Sequence, residues 1–230
     1  MDPRSKPSAD GRSRHPDRTS LSGGAVQGDA SVLHEVLEES RTLGFLGPGP
    51  LEVHLAHSEA FAALVPSAPT RAIDLGTGGG VPGLILAMRW PATTWLLLDA
   101  NRRRTDFLVG AVDALGVGDR VVVRCERAEE TGRSGVWRGW ADLITARGFG
   151  PPAVTAECAA PLLVVGGTLV VSEPPGGRPD RWAADPLLQL GLIADGGMTE
   201  PVALQRFRQV RACPDRYPRR TGIPAKRPLF

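Results

Sequence analysis

An open, doubly wound α/β sheet with a helical cap ahead of its first strand is the fold class predicted by this 230-residue sequence. Three observations carry the expectation. Short apolar runs suited to buried strands alternate with amphipathic segments of helical length. A glycine-rich bend, Gly76-Thr-Gly-Gly-Gly80, separates the first strand from its helix, and glycine there permits unusual dihedrals and close approach of backbone to a ligand. Asp99 ends the second strand, where an acidic side chain can accept from ribose hydroxyls beside such a bend.

Composition narrows the class. The length allows one sizeable core. Cys125, Cys158 and Cys213 are odd in number and lack metal-ligand spacing, which reads as free thiols in a reducing compartment. No run reaches the ~20 apolar residues of a membrane span, and the N-terminus has no signal-peptide core. The expectation is a cytoplasmic protein, monomeric, with no membrane and no metal partner. The formal charge of +2 says little about partners; its distribution says more.

Residues 1–30 carry five basic and four acidic side chains and hardly an apolar one, so a disordered tail is expected there. Residues 31–212 are expected to form the folded domain, with a helical cap over 31–66. Val32, Leu33, Val36, Leu37 and Leu43 mark its first helix, stopped at Gly44. The second spans about 53–65, with Leu55, Phe61, Leu64 and Val65 inward and Pro66 ending it. His54 and His57 read as surface or cap-packing residues.

The first strand holds Ala72, Ile73 and Leu75. After the bend, Pro82 suits a first helical turn, and that helix runs to Arg89. Strand two covers 93–98. The next helix spans 101–115, with Phe107, Leu108, Ala111, Val112 and Leu115 inward. Arg102, Arg103 and Arg104 sit in its first turn, a poor place for cations in the helix field, which suggests either phosphate attraction or a solvated charge run. Val121–Val123 is strand three, so Ala128 and Glu129 fall on the same carboxyl edge as Gly76 and Asp99. There they either line a nucleotide-like ligand or are simply solvated.

Strand four, Asp142–Ala146, puts Arg147 on that edge. A short helix follows over 151–160, then a fifth strand, 162–171, broken by Gly166-Gly167. A weak helix over 182–190, Leu192-Ile193, and an antiparallel edge strand within 201–210 complete the domain. From Arg206 onward eight basic side chains face one acid, Asp215, and 213–230 is expected to be a basic tail. Its arginines can contact phosphate, while Tyr217 either stacks on a base or anchors the tail.

Two nucleotide-type cofactors compete for the bend. A dinucleotide site prefers G-x-G-x-x-G, but Val81 stands where the last glycine belongs. No Gly-Lys-Ser/Thr follows, so a Walker-type phosphate loop is excluded. Asp74, just ahead of the bend, suits the cationic methionyl end of S-adenosylmethionine better than a pyrophosphate. Methyl transfer is therefore favoured over hydride transfer.

Ile73-Asp-Leu-Gly-Thr-Gly-Gly-Gly-Val-Pro-Gly83, Leu97-Leu-Asp99, Arg103-Arg104 with Phe107-Leu108, Ala128-Glu129, Ala146-Arg147 and Tyr217-Pro-Arg-Arg-Thr-Gly-Ile-Pro-Ala-Lys226 together resemble the bacterial RsmG (GidB) family. The resemblance runs over roughly 31–229. It implies a Rossmann-like sheet of the class I S-adenosylmethionine-dependent methyltransferases. It also implies an enzyme that methylates N7 of a guanine in the decoding-region loop of 16S rRNA in the small ribosomal subunit. It aligns Gly76, Val81, Ala128, Glu129 and Arg147 with cofactor contacts and Asp99 with the acidic residue ending strand two; Asp74 and Gly78, read from the bend itself, complete the cofactor-binding candidates. Arg147 becomes the candidate for positioning cofactor and substrate, and thus the catalytic candidate. Arg103, Arg104, Tyr217, Arg219, Arg220 and Lys226 become the RNA-binding candidates.

Three departures stand out. His57 replaces the carboxylate of the family's His-x-x-Asp-Ser, Ala146 replaces a serine, and Ser172-Glu173 replaces a lysine-glycine pair. A carboxylate at 173 should weaken phosphate attraction near the pocket. The alternatives left by the sequence are a divergent paralogue acting on another RNA or a small molecule, and a non-catalytic RNA-binding protein.

Overall fold

The computed structural model describes residues 22–176 and 179–230. Five strands run parallel: β1 (Arg71–Leu75), β2 (Thr94–Asp99), β3 (Val121–Cys125), β4 (Ala141–Ala146) and β5 (Leu163–Ser172). Two more, β6 (Leu192–Met198) and β7 (Leu204–Gln209), complete one seven-stranded sheet in the order β3-β2-β1-β4-β5-β7-β6. The chain leaves β1 toward β2 and later returns to pair β4 on its other side. That reversal makes a crevice at the carboxyl ends of β1 and β4, the place where open α/β sheets bind ligands. Gly76 follows one strand and Arg147 the other.

Both faces of the sheet are covered, so its central strands are near-continuous apolar runs. Ile73, Leu75, Leu96, Leu98, Ile144 and Leu169 look toward a core shared with α6 (Pro152–Ala159) and α7 (Ala184–Leu190). Ala72, Trp95, Leu97, Leu143 and Val170 look the other way, toward α1 (Ser22–Thr42), α2 (Leu51–Ala63), α3 (Gly83–Arg89) and α4 (Arg102–Ala114). The Asn101 side chain caps α4 by accepting from the Arg104 N–H at 3.3 Å, which helps offset the unfavourable start with three arginines.

The structure departs from the sequence expectations in four places. Helix α1 already starts at Ser22, because extending a helix anchored by Val36 and Leu37 is easy once nucleated. The remainder of the expected N-terminal tail lies outside the described residues. Strand β5 passes through Gly166-Gly167 unbroken, the irregularity being taken up as a register shift against β4 between Ala141 and Leu143. Strand β7 is antiparallel as expected but not an edge: it pairs β5 on one side and β6 on the other, with Phe207 fully buried. The edge is β6, whose Gly196-Gly197 sits at a pairing irregularity that hides the strand from sequence. Finally, the basic C-terminal segment packs against the body and contains a short helix, α8 (Ile223–Lys226). Among the described residues no helix is long and apolar enough to cross a membrane.

Candidate cofactor and substrate site

The bend after β1 is pinned from three sides. Gly76 N–H and Thr77 N–H both donate to the Leu98 carbonyl, at 2.8 and 3.0 Å. Asp99 (7% exposed) accepts from Gly78 N–H through Oδ2 at 2.9 Å and from Asn101 N–H through Oδ1 at 2.8 Å. From the cap, Ser40 Oγ donates to the Gly79 carbonyl at 2.9 Å. Gly76 is required by space as well as by dihedral, and Gly79 by space alone. A Cβ on Gly76, where φ is +71°, would lie 2.6 Å from the Phe149 ring, and one on Gly79 would lie 2.4 Å from Ser40 Oγ.

Asp74 has a different place from the one its sequence position suggests. It is fully covered beneath the bend, accepting from Thr145 Oγ1 at 2.7 Å and from Gly83 N–H at 3.0 Å. Burial pushes its carboxyl up to about 6, against the pull of those two bonds and of Arg147. It lines neither cavity described below, so it braces the strand–helix junction instead of meeting a ligand.

Two cavities meet at the bend. One, of about 310 Å³, is lined by Gly76, Asp99, Phe149 and the start of α5 (Ala128–Arg133) at Ala128 and Glu129. The other, of about 240 Å³, is lined by Gly76, Gly78, Val81, Arg147 and Phe45. They share Gly76, Arg104 and Gly148. The structure thus brings together every proposed cofactor residue except Asp74. Glu129 is held in place by the C-terminal segment, its Oε1 accepting from Gly222 N–H at 2.9 Å, and Ala225 of α8 lines the larger cavity.

Arg147 extends from the end of β4 to the cap. Its Nη2 donates to His54 Nδ1 at 2.9 Å, and His54 Nε2 faces the Gly47 carbonyl at 3.3 Å. These contacts assign the tautomer protonated on Nε2. His54 is buried and orients the arginine, a role the sequence reading missed. The contact joins residues 93 apart, so only the histidine's place in the family-like cap motif hinted at it.

His57 lies one turn on, stacked on Phe61 with centroids 5.6 Å apart and Nε2 without a partner. Burial, then the charge of Arg147, holds its ring at about 4, below its ordinary 6.5. The unfolded chain therefore takes up this proton first. The histidine's contribution to stability is full above pH 6.5 and lost as pH falls toward 4. His57→Gln is expected to shrink the drop in melting temperature between pH 7 and 5 relative to the parent. An unchanged drop would show that the ring stays accessible to protons.

The basic candidates separate into two groups. Arg103 lies over the Phe45 ring at 5.9 Å and is exposed, as are Arg220 and Lys226. Arg104 approaches Asp99 at 3.6 Å on the cavity rim. Arg219 is otherwise engaged. It forms a forked pair with fully buried Glu157, Nε to Oε1 at 2.8 Å and Nη2 to Oε2 at 2.6 Å. Tyr217 (5% exposed) belongs to the core, which excludes base stacking by its ring and leaves the anchoring role. Arg206, Arg208 and Arg211 are likewise spent on Asp195 and on backbone carbonyls. Burial raises the thiols of Cys158 and Cys213, the latter to about 12, so neither supplies a thiolate. Among the described residues no group of three His, Cys, Asp or Glu side chains could hold a metal ion.

Five parallel strands reversing at β1, antiparallel β7 inserted between β5 and β6, a glycine bend at the reversal and an acidic residue ending β2 together give the fold of the class I S-adenosylmethionine-dependent methyltransferases. A putative O-methyltransferase from Klebsiella pneumoniae shares it, with a TM-score of 0.54 at 18% identity over 79% of this chain and 90% of that one. Sequence comparison goes further. The model of the GidB family, rRNA small subunit methyltransferase G, matches residues 50–173. Ribosomal RNA small subunit methyltransferase G of Synechococcus sp. RCC307 is 35% identical over 70% of this chain and 71% of its own length. The protein of that name from Syntrophomonas wolfei is 34% identical over 79% and 87%. The chain belongs to the rRNA small subunit methyltransferase G family.

Proposed function

We propose that this protein transfers a methyl group from S-adenosylmethionine to N7 of a guanine in 16S rRNA. The observation that carries the reading is the pair of cavities joined at Gly76, one ending in carboxylates and the other in Arg147. The residues fit the cofactor. Asp99 uses two backbone donors and keeps lone pairs for ribose hydroxyls. Ala128 and Glu129 border the far end for the adenine, and Arg147 stands where a methionyl carboxylate needs a cation. The side-chain-free surface of Gly76 lets the ligand lie on the backbone.

Bound there, the cofactor supplies an electrophilic sulfonium methyl. Guanine N7 carries a lone pair and no proton, so the chain needs no general base and no nucleophile of its own. The work of the protein is alignment and exclusion of water. His54 fixes the direction of Arg147, and Asp99 ties the bend to α4. Arg103, Arg104, Arg220 and Lys226 supply phosphate contacts around the opening, with a salt-dependent affinity.

The test is nucleoside analysis of small-subunit rRNA from cells with and without this gene. N7-methylguanosine in the decoding region should vanish with the gene and return with it. The same content in both would overturn the proposal.

A further inference from the structure

A third cavity, of about 300 Å³, lies beside the cofactor site and shares the wall Gly148-Phe149-Gly150 with it. Its other lining residues include Pro152, Pro174, Glu173, Arg181 and Trp182. Phe149 faces both spaces, and its ring is the group that a Cβ on Gly76 would strike. A flat base against Phe149 in this cavity is therefore separated from Gly76 by that one ring, and reaches the cofactor site past its edge.

Three of the polar side chains lining this cavity form one unit. The Glu173 side chain is 8% exposed, with Oε1 accepting from Trp182 Nε1 at 2.8 Å and Oε2 paired to Arg181 Nη1. Its backbone N–H donates to the Ala203 carbonyl at 2.8 Å, and Trp182 is wedged against Phe207 with centroids 4.5 Å apart. The carboxylate is thus fixed in position and accepts more bonds than the two it has.

We propose that this cavity receives the target guanine and that Glu173 and Arg181 read its Watson–Crick edge. The inference rests on the function proposed above. Guanine offers in a row an acceptor, O6, and two donors, N1–H and N2–H. A guanidinium beside a carboxylate presents the complementary row. Adenine offers a donor at N6 and an unprotonated N1, whose lone pair would face the carboxylate, so it is rejected. N7 lies across the purine from N1 and N2, so a base gripped by that edge turns N7 away from Glu173. Reading an extruded base by its pairing edge, with an aromatic face beneath, is a general solution for enzymes that act on a base. Glu173, read from sequence as a loss of phosphate attraction, thereby becomes the residue that selects the base.

The test uses the small-subunit rRNA fragment that the unmodified protein methylates, made with guanosine or inosine at the target. Inosine keeps N7 and O6 and lacks only the N2 donor. The unmodified protein should use inosine at least ~10-fold less efficiently, the loss expected for one charge-assisted bond. Glu173→Gln should lower kcat/KM on guanosine by ~100-fold and bring the guanosine-to-inosine ratio near one. S-adenosylmethionine affinity should stay at the parental value, while the melting temperature falls by ~5 °C or less as the pair with Arg181 is lost. Equal use of guanosine and inosine by the unmodified protein would overturn the inference even if the variant failed to fold. Failure of the unmodified protein to methylate N7 in either RNA would instead overturn the underlying function, and this inference with it.

Discussion

Gly76→Val is expected to abolish S-adenosylmethionine binding, raising the dissociation constant more than ~100-fold by calorimetry while leaving a folded protein. Two effects combine. The residue sits at φ +71°, a region that β-branched side chains avoid, and its Cβ would lie 2.6 Å from Phe149 Cδ2. Relief would require Phe149 to move, and that ring lines the cavity itself. Gly116→Ala is the matched control. Gly116 has φ +64° with nothing within 4 Å of its Cβ, so that substitution strains the backbone without reaching the cavity. It should cost about 1 kcal/mol of stability and leave affinity unchanged. If both variants bound equally well, the bend would not be the cofactor seat.

Arg219→Ala is expected to destabilise the fold by about 3 kcal/mol, because it strands the fully buried Glu157 carboxylate. Arg220→Ala, one residue on and exposed, should leave the melting temperature within about a degree. It should instead weaken RNA binding and reduce the slope of log affinity against log salt by about 1. Urea unfolding and salt-dependent RNA titrations of the pair separate the two roles. A melting temperature unchanged in Arg219→Ala would show the pair to be dispensable. The contrast matters because in sequence these adjacent arginines are indistinguishable. Only the fold shows that one of them faces a buried acid on α6.

Strand runs, the glycine bend and the spacing to Asp99 are local patterns, and the parallel core follows from them. The place of β7 between β5 and β6 is a matter of long-range pairing, for which a strand's own residues carry no signal. Composition suggested a free basic tail, yet Arg206 and Arg219 are half-buried against Asp195 and Glu157, and the exposed Arg208 and Arg211 have partners on the protein's own surface. Counting charges could not reveal which of them had partners. Asp74 was read by its nearness to the bend. The pleat turns it down between Thr145 and Gly83, while Asp99 at its strand end faces the cavity. His54 and Glu173 were hidden for a common reason: each acquires its role from a partner on another element, Arg147 across the cap in one case and Trp182 and Arg181 beyond a loop in the other.

Incubation of the purified protein with methyl-labelled S-adenosylmethionine and small subunits lacking the modification, followed by nucleoside digestion, probes the central claim most directly. The label should appear in N7-methylguanosine, approach one equivalent per subunit, and be lost in Gly76→Val but kept in Gly116→Ala. Label found in another nucleoside, or none transferred by a protein that binds the cofactor, would contradict it.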